Sequence, residues 1–275
     1  MKLFLRIMKI LLLGMFMIFA LGPLYWVVVT SLKGSQEIYA FPIKYWPASI
    51  NWGNYKYLFN ISNFAVYFKN SLLISLVASI GALFISMFSG YALSRFREQR
   101  PKMILLLAMY FTQIIPTYML MSPLFTSLAK VGMTDNLVAL TLVYITMMIA
   151  FSTIMAKGFF DRIPIALEEA AMTDGCTKTQ TIVKIVIPLT LPGLAAIFSF
   201  AFVNIWNELF LAVMLLSSDH NMTVPVALNS FISKAGVSWG VLSAGIVVAL
   251  LPTMIVFAFA QKYIIMGLTE GAVKG

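Results

Sequence analysis

Charge is scarce in this sequence: 11% of its 275 residues are Asp, Glu, Lys or Arg, against roughly a quarter in an ordinary soluble domain. A single cysteine rules out a disulfide framework or a Cys-cluster metal site, and a single histidine leaves no basis for a His-based metal site or triad. What fills the space is apolar, with 61% hydrophobic residues. A soluble globule could not hide that excess, because much of any globule's surface must face water. The solvent of this chain is therefore lipid. The net charge of +9 would suit nucleic acid only if the basic residues formed a patch interleaved with aromatics on a water-soluble element, and they do not.

A hydrocarbon core about 30 Å thick needs about 20 apolar residues in a helix. Ile10–Leu32, Asn70–Ser94, Met103–Ala129, Asn136–Ala156 and Ala235–Gln261 are free of charge. A sixth span, expected near Gly193–Leu216, contains Glu208. Lys2, Arg6 and Lys9 precede the first span as they would a secretory signal. That apolar run outlasts a signal's core, however, and Pro23 follows Ala20-Leu21-Gly22, so an uncleaved helix is expected. With six spans and both termini inside, 13 of the 19 basic residues fall on the cytoplasmic side. The basic balance is thus an orientation signal.

The expected organisation is an N-terminal helix with an external aromatic-rich segment over 1–69, a core over 70–262 and a C-terminal tail over 263–275. The aromatics of the external segment, Tyr39, Phe41, Tyr45, Trp46 and Trp52 among them, suit a lid on the membrane surface. In the second span Ser71, Ser75, Ser79, Ala82, Ser86, Gly90 and Ser94 recur at helical spacing. Such a small-residue stripe lets helix backbones approach closely in lipid, against either this chain or a partner. Gln113 and Pro116 sit mid-way along the third span, where the proline should kink it.

Of ten acidic residues only Glu208 falls inside a span. Two readings stand equal: a polar wall, with Gln113, Asn204, Trp206 and Asn207, along a solute pathway; or a structural carboxylate hydrogen-bonded by Asn204, four residues earlier. A proton relay has no second intramembrane acid or histidine to use.

The longest cytoplasmic segment, about 157–191, carries four acids and four bases. Pro164 suits a helix start, Glu168 and Glu169 favour the helix N-terminus, and Gly175 suits a left-handed stop. A second short helix is expected over Lys178–Val186, ended by Pro188. This helix–turn–helix is a docking element or a self-contained loop. Here a family resemblance becomes specific. Glu169-Ala170-Ala171, Gly175 and Ile185-Val186-Ile187-Pro188 resemble the EAA loop of ABC-importer permeases, with Ile187 where that pattern has leucine. Ile163-Pro164, Leu167-Glu168-Glu169, Asp174-Gly175, Trp206-Asn207-Glu208, Ser31-Leu32-Lys33, Asn54-Tyr55, Asn70-Ser71-Leu72 and the tail from Gln261 to Gly275 are similar to the carbohydrate-uptake, MalG-like branch, so the likeness spans nearly the whole chain.

The resemblance implies an all-α prokaryotic inner-membrane protein with six transmembrane helices, pairing with a second, MalF-like permease. Two cytoplasmic ATPase subunits, holding ATP and Mg, would receive the EAA loop through Glu169, Ala170, Ala171, Asp174, Gly175, Ile185 and Pro188. The tail, with Gly267, Gly271 and Lys274, would make a second ATPase contact, and an external solute-binding protein would deliver a sugar. The chain itself would bind no cofactor and hydrolyse nothing; its tail glycines and Lys274 do not make a P-loop. An ion-driven secondary transporter using Glu208 is the alternative, and a membrane scaffold a third. Monosaccharide, disaccharide, oligosaccharide and glycerol phosphate all remain open as cargo. His220, the methionines and Cys176 carry no implied chemistry, and the sequons at Asn60 and Asn221 are chance matches in a prokaryote.

Overall fold

The computed structural model describes residues 2–60, 63–233 and 236–272. Among them, five helices are long and apolar enough to cross a membrane: α1 (Lys2–Ser31), α4 (Phe64–Arg95), α7 (Leu137–Phe160), a continuous helical stretch over Lys178–Trp206, and α13 (Trp239–Ala272). Between α1 and α4 lie the short helices α2 (Ser35–Ile38) and α3 (Gly53–Asn60). The aromatics around them are uncovered, with Phe41 93% and Tyr45 71% exposed.

The expected third span is broken rather than kinked. α5 (Gln99–Ile114) and α6 (Thr117–Lys130) meet at 94°. Ile115 and Pro116 are extended, with ψ of 118° and 130°. A residue before proline is pushed out of the helical region by the ring, so the chain loses two helical residues in succession. Gln113 lies exposed in the last turn of α5.

The segment expected to form a separate short helix over Lys178–Val186 runs on into the membrane. α9 (Lys178–Thr181) continues through a π-helical turn, Ile182–Val186, into α10 (Ile187–Trp206). A proline interrupts an α-helix because it lacks a donor and its ring strikes the carbonyl four residues back. The wider π turn shifts that register just before Pro188, which then occupies the first turn of α10. At the other end α10 stops at Asn207, and α11 (Phe210–Leu215) is a separate helix. Glu208 therefore sits in a break between helices, not within a span over Gly193–Leu216.

By internal contacts the chain divides into two units, Met1–Phe68 with Val226–Leu251, and Lys69–Pro225 with Pro252–Gly275. In the first, the amide of Asn54 donates to Ser31 O at 2.8 Å and Lys33 O at 2.9 Å, tying α3 to the end of α1. A two-stranded hairpin, β1 (Ile232–Ser233) and β2 (Gly236–Val237), follows α12 (Val224–Ser230). In the second, the small-residue stripe of α4 is buried, with Ser79, Ala82 and Ser86 at 0% exposure. Its partner includes α7 of the same chain: Ser89 Oγ lies 2.7 Å from Thr153 Oγ1, and a Cβ on Gly90 would stand 2.6 Å from Ala156 Cβ. Only a residue without a side chain permits that approach. Below it Ala156, Phe160, Ile163, Val186, Leu194 and Ile197 form a core cluster where α7, the π turn and α10 meet.

Candidate functional site

The loop after α7 is built on this cluster. Pro164 caps α8 (Ile165–Thr173), which ends at Asp174 before Gly175 turns the chain with φ of +90°. Gly175 N bonds Met172 O at 3.1 Å and Cys176 N bonds Ala171 O at 3.0 Å, closing the turn. Thr177 and Gln180 then form a reciprocal capping box that starts α9. The helix–turn–helix is thus specified by its own residues.

The two adjacent glutamates of α8, about 100° apart around the helix, lie on different faces. Glu168 is 7% exposed and Glu169 is open to solvent. The Glu168 carboxylate takes Arg95, at the end of α4, at 2.6 Å, and accepts from Tyr91 Oη at 2.6 Å. The same guanidinium donates to Phe160 O at 3.2 Å and Ile163 O at 3.1 Å. Beside it Asp161 accepts from Ser94 Oγ at 2.6 Å and pairs with Lys157 at 2.5 Å. Partial burial opposes ionisation of Asp161, yet the bonds from Lys157 and Ser94 outweigh it and hold its carboxyl below the ordinary value. The ends of α4 and α7 and the inner face of α8 are joined through these charges.

Among the described residues, the outer face of α8 has no such partners. Ile165, Leu167 and Met172 are 53%, 46% and 44% exposed, and Glu169, Ala170, Asp174 and Gly175 lie beside them. Ala171 is buried under the helix, Ile185 is half-buried and Pro188 exposed. The seven residues singled out in this loop therefore divide into an outward set around Glu169 and an inward support. Arg95, Tyr91 and the inward role of Glu168 were not legible beforehand. The signal available was a charged residue closing a span and a pair of adjacent acids on one helix.

At the other end of the same unit, Glu208 is engaged by donors. Tyr144 Oη donates to it at 2.6 Å, and Leu211 N and Ala212 N donate at 3.0 and 3.2 Å, capping α11. Asn204 donates instead to Phe200 O, and Asn207 to Val203 O, each at 2.8 Å. The expected Asn204–Glu208 bond is replaced because each asparagine reaches back along its own helix. Trp206 and Glu208 border a void of only about 10 Å³ with Ser71, Ser75 and Tyr144, enough for about one water and far too small for a sugar. Gly267 and Gly271 continue the helix of α13, which runs to Ala272, and Lys274 lies outside the described residues.

Near the loop between α6 and α7, Asp135 binds the chain after α11. Ser217 N and Ser218 N donate to its Oδ1 at 2.9 and 3.0 Å, the Ser218 hydroxyl donates to Oδ2, and Asn221 donates to its carbonyl. The Ser218 hydroxyl first, then the backbone amides, hold this carboxyl well below its usual range.

Five helices long and apolar enough to cross a membrane, together with a loop helix anchored on one face and exposed on the other, define a multi-pass membrane protein. The chain belongs to the family of binding-protein-dependent transport system inner membrane components, whose profile matches residues 82–269. It is 36% identical over 265 residues to the inner membrane ABC transporter permease protein YcjP of Escherichia coli strain K12, covering 96% of this chain and 94% of that one. It is 31% identical to the diacetylchitobiose uptake system permease protein DasC of Streptomyces coelicolor, over 92% of this chain and 91% of that one. The trehalose transport system permease protein SugB of Mycobacterium tuberculosis is also 31% identical, over 94% and 93%. A bacterial ABC transporter that imports the acidic polysaccharide alginate shares the fold, with a TM-score of 0.80 at 24% identity over 95% of this chain and 96% of that one.

Proposed function

We propose that this chain is the permease subunit of an ATP-driven importer that carries a disaccharide or short oligosaccharide into the cytoplasm. Two of its relatives are named for the uptake of diacetylchitobiose and trehalose, both disaccharides, which supports that cargo class. The working assembly would add a second, MalF-like permease, two ATPase subunits holding ATP and Mg, and an external solute-binding protein. The basic residues at the N-terminus, Lys2, Arg6 and Lys9, and at the junction of α4 and α5, Arg95, Arg97, Arg100 and Lys102, support a cytoplasmic position for that side.

One observation carries the reading: α8 is fixed on its inner face by the buried Glu168–Arg95 pair and leaves Leu167, Glu169, Ala170 and Met172 uncovered. A helix held in this way passes a push on its outer face to α4 and α7 as a rigid body. Glu208, capping α11 and bonded to Tyr144, supplies no free ion carrier for a gradient-driven alternative. The test is uptake of radiolabelled trehalose and diacetylchitobiose by proteoliposomes containing the complete complex and its binding protein. Uptake of at least one sugar should require ATP and survive dissipation of the proton and sodium gradients. Uptake that persists without ATP and collapses with a gradient would overturn the proposal.

A further inference from the structure

A cavity of about 350 Å³ lies at the end of α1, among Trp26, Lys33, Glu37, Tyr39, Trp239 and Leu242. All its walls belong to the first unit of the chain. Its chemistry is unusual for a void beside apolar helices. Lys33 is 2% exposed, yet no carboxylate stands within 4 Å of its ammonium among the described residues. Its Nζ donates to Lys44 O and lies 4.7 Å from the Trp26 ring centroid. An ammonium carries three donors, and a buried cation without a counter-charge is strongly unfavourable. Glu37 lines the same cavity without pairing with Lys33; one of its oxygens accepts from Ala48 N at 2.7 Å, which leaves its other oxygen for a second donor. Two opposite charges thus face one cavity and do not meet.

We propose that this cavity binds the headgroup of a zwitterionic phospholipid bearing a primary amine, with the phosphate on Lys33 and the amine on Glu37. A ligand with separated charges of that polarity satisfies both side chains at once. The position agrees: the cavity lies where α1 ends and α13 begins, the level at which spans reach the headgroups. Trp26 and Trp239 are the amphipathic aromatics favoured there. Val27, Ile43 and Ile246 supply an apolar wall for the start of the acyl chains.

The test is native mass spectrometry of the delipidated complete complex, titrated with phosphatidylethanolamine, phosphatidylglycerol and phosphatidylcholine of identical acyl chains. Wild type should hold one phosphatidylethanolamine about tenfold more tightly than either of the others, since only that headgroup offers both an anion and amine protons. Lys33→Gln, which keeps a donor for Lys44 O, should weaken all three lipids. Glu37→Gln should bring phosphatidylethanolamine down to the level of phosphatidylglycerol with the complex intact. Equal retention of the three lipids by wild type, unchanged preference in both variants, or displacement of the bound lipid by trehalose would each overturn the proposal. None of these readings depends on transport.

Discussion

Arg95 and Glu168 lie 73 positions apart in the chain and 2.6 Å apart in space, with side chains only 15% and 9% exposed. The pair joins the end of a transmembrane helix to the helix expected to meet the ATPase. Its value as a connection comes from what surrounds it: two backbone carbonyls on the guanidinium and the Tyr91 hydroxyl on the carboxylate. Every strong donor and acceptor at the junction has a partner, so loss of one side leaves the other charge buried and unpaired.

Glu168→Ala should therefore destabilise the junction by about 3 kcal/mol. Hydrogen exchange across Ile165–Thr173 should rise, and the number of sugars moved per ATP hydrolysed should fall. The double change Arg95→Met with Glu168→Leu, which removes both charges, should restore much of the exchange protection. Equal loss of transport and hydrolysis, with the ratio between them unchanged, would reduce the pair to a folding role.

Gly175 should tolerate volume but not a β-branched backbone. No atom lies within 4 Å of a Cβ added there, while φ is +90°. Gly175→Val should cost about 1–2 kcal/mol through the backbone alone and lower solute-stimulated ATP hydrolysis. Gly175→Asn should cost less, because asparagine tolerates left-handed geometry better than valine does. Comparable hydrolysis in wild type and both variants would contradict a role for this turn.

Asp135 makes an acid-labile clamp. Its folded pKa is depressed by the Ser218 hydroxyl and the amides of Ser217 and Ser218. A group with a depressed folded pKa contributes stability above its unfolded value, and that contribution is lost as pH falls through the folded value. The melting difference between wild type and Asp135→Asn should thus be constant at neutral pH and shrink below about pH 4. Asparagine also accepts the positive φ of 54° at this position, so the comparison adds no backbone strain and reports the loss of the charge together with one of the two acceptor oxygens. A difference that grows on acidification would contradict the sign.

Glu208→Gln tests the cap. The amide keeps one acceptor where the carboxylate uses two, so α11 should lose about 1 kcal/mol. The complex should assemble, and the pH dependence of ATP-driven uptake should not move. A shifted pH profile would give Glu208 a part in ion coupling.

The spans were readable because charge placement and helix length are local properties of a chain in lipid. Ile10–Leu32 and Asn70–Ser94 match the C-terminal ends of α1 and α4 to within one residue, while the helices themselves begin earlier, at Lys2 and Phe64. Gly175 was readable for the same reason, since its turn is made by neighbours. The prolines were not: Pro116 breaks a helix at 94°, whereas Pro188 and Pro192 pass into one. The ring alone does not decide the outcome, since Pro23, Pro123 and Pro252 also lie inside continuous helices. The pairing of Arg95 with Glu168, and of Tyr144 with Glu208, depends on which helices pack together, and that information is absent from spacing along one helix.

The outward face of α8 is the proposed contact with the ATPase. A photo-crosslinking amino acid at Leu167, 46% exposed on that face, tests it most directly in the complete complex. A crosslink to the ATPase subunit whose yield changes when ATP is added is expected. Crosslinks only to lipid or to the partner permease, from a complex that still contains and is stimulated through its ATPase, would contradict it.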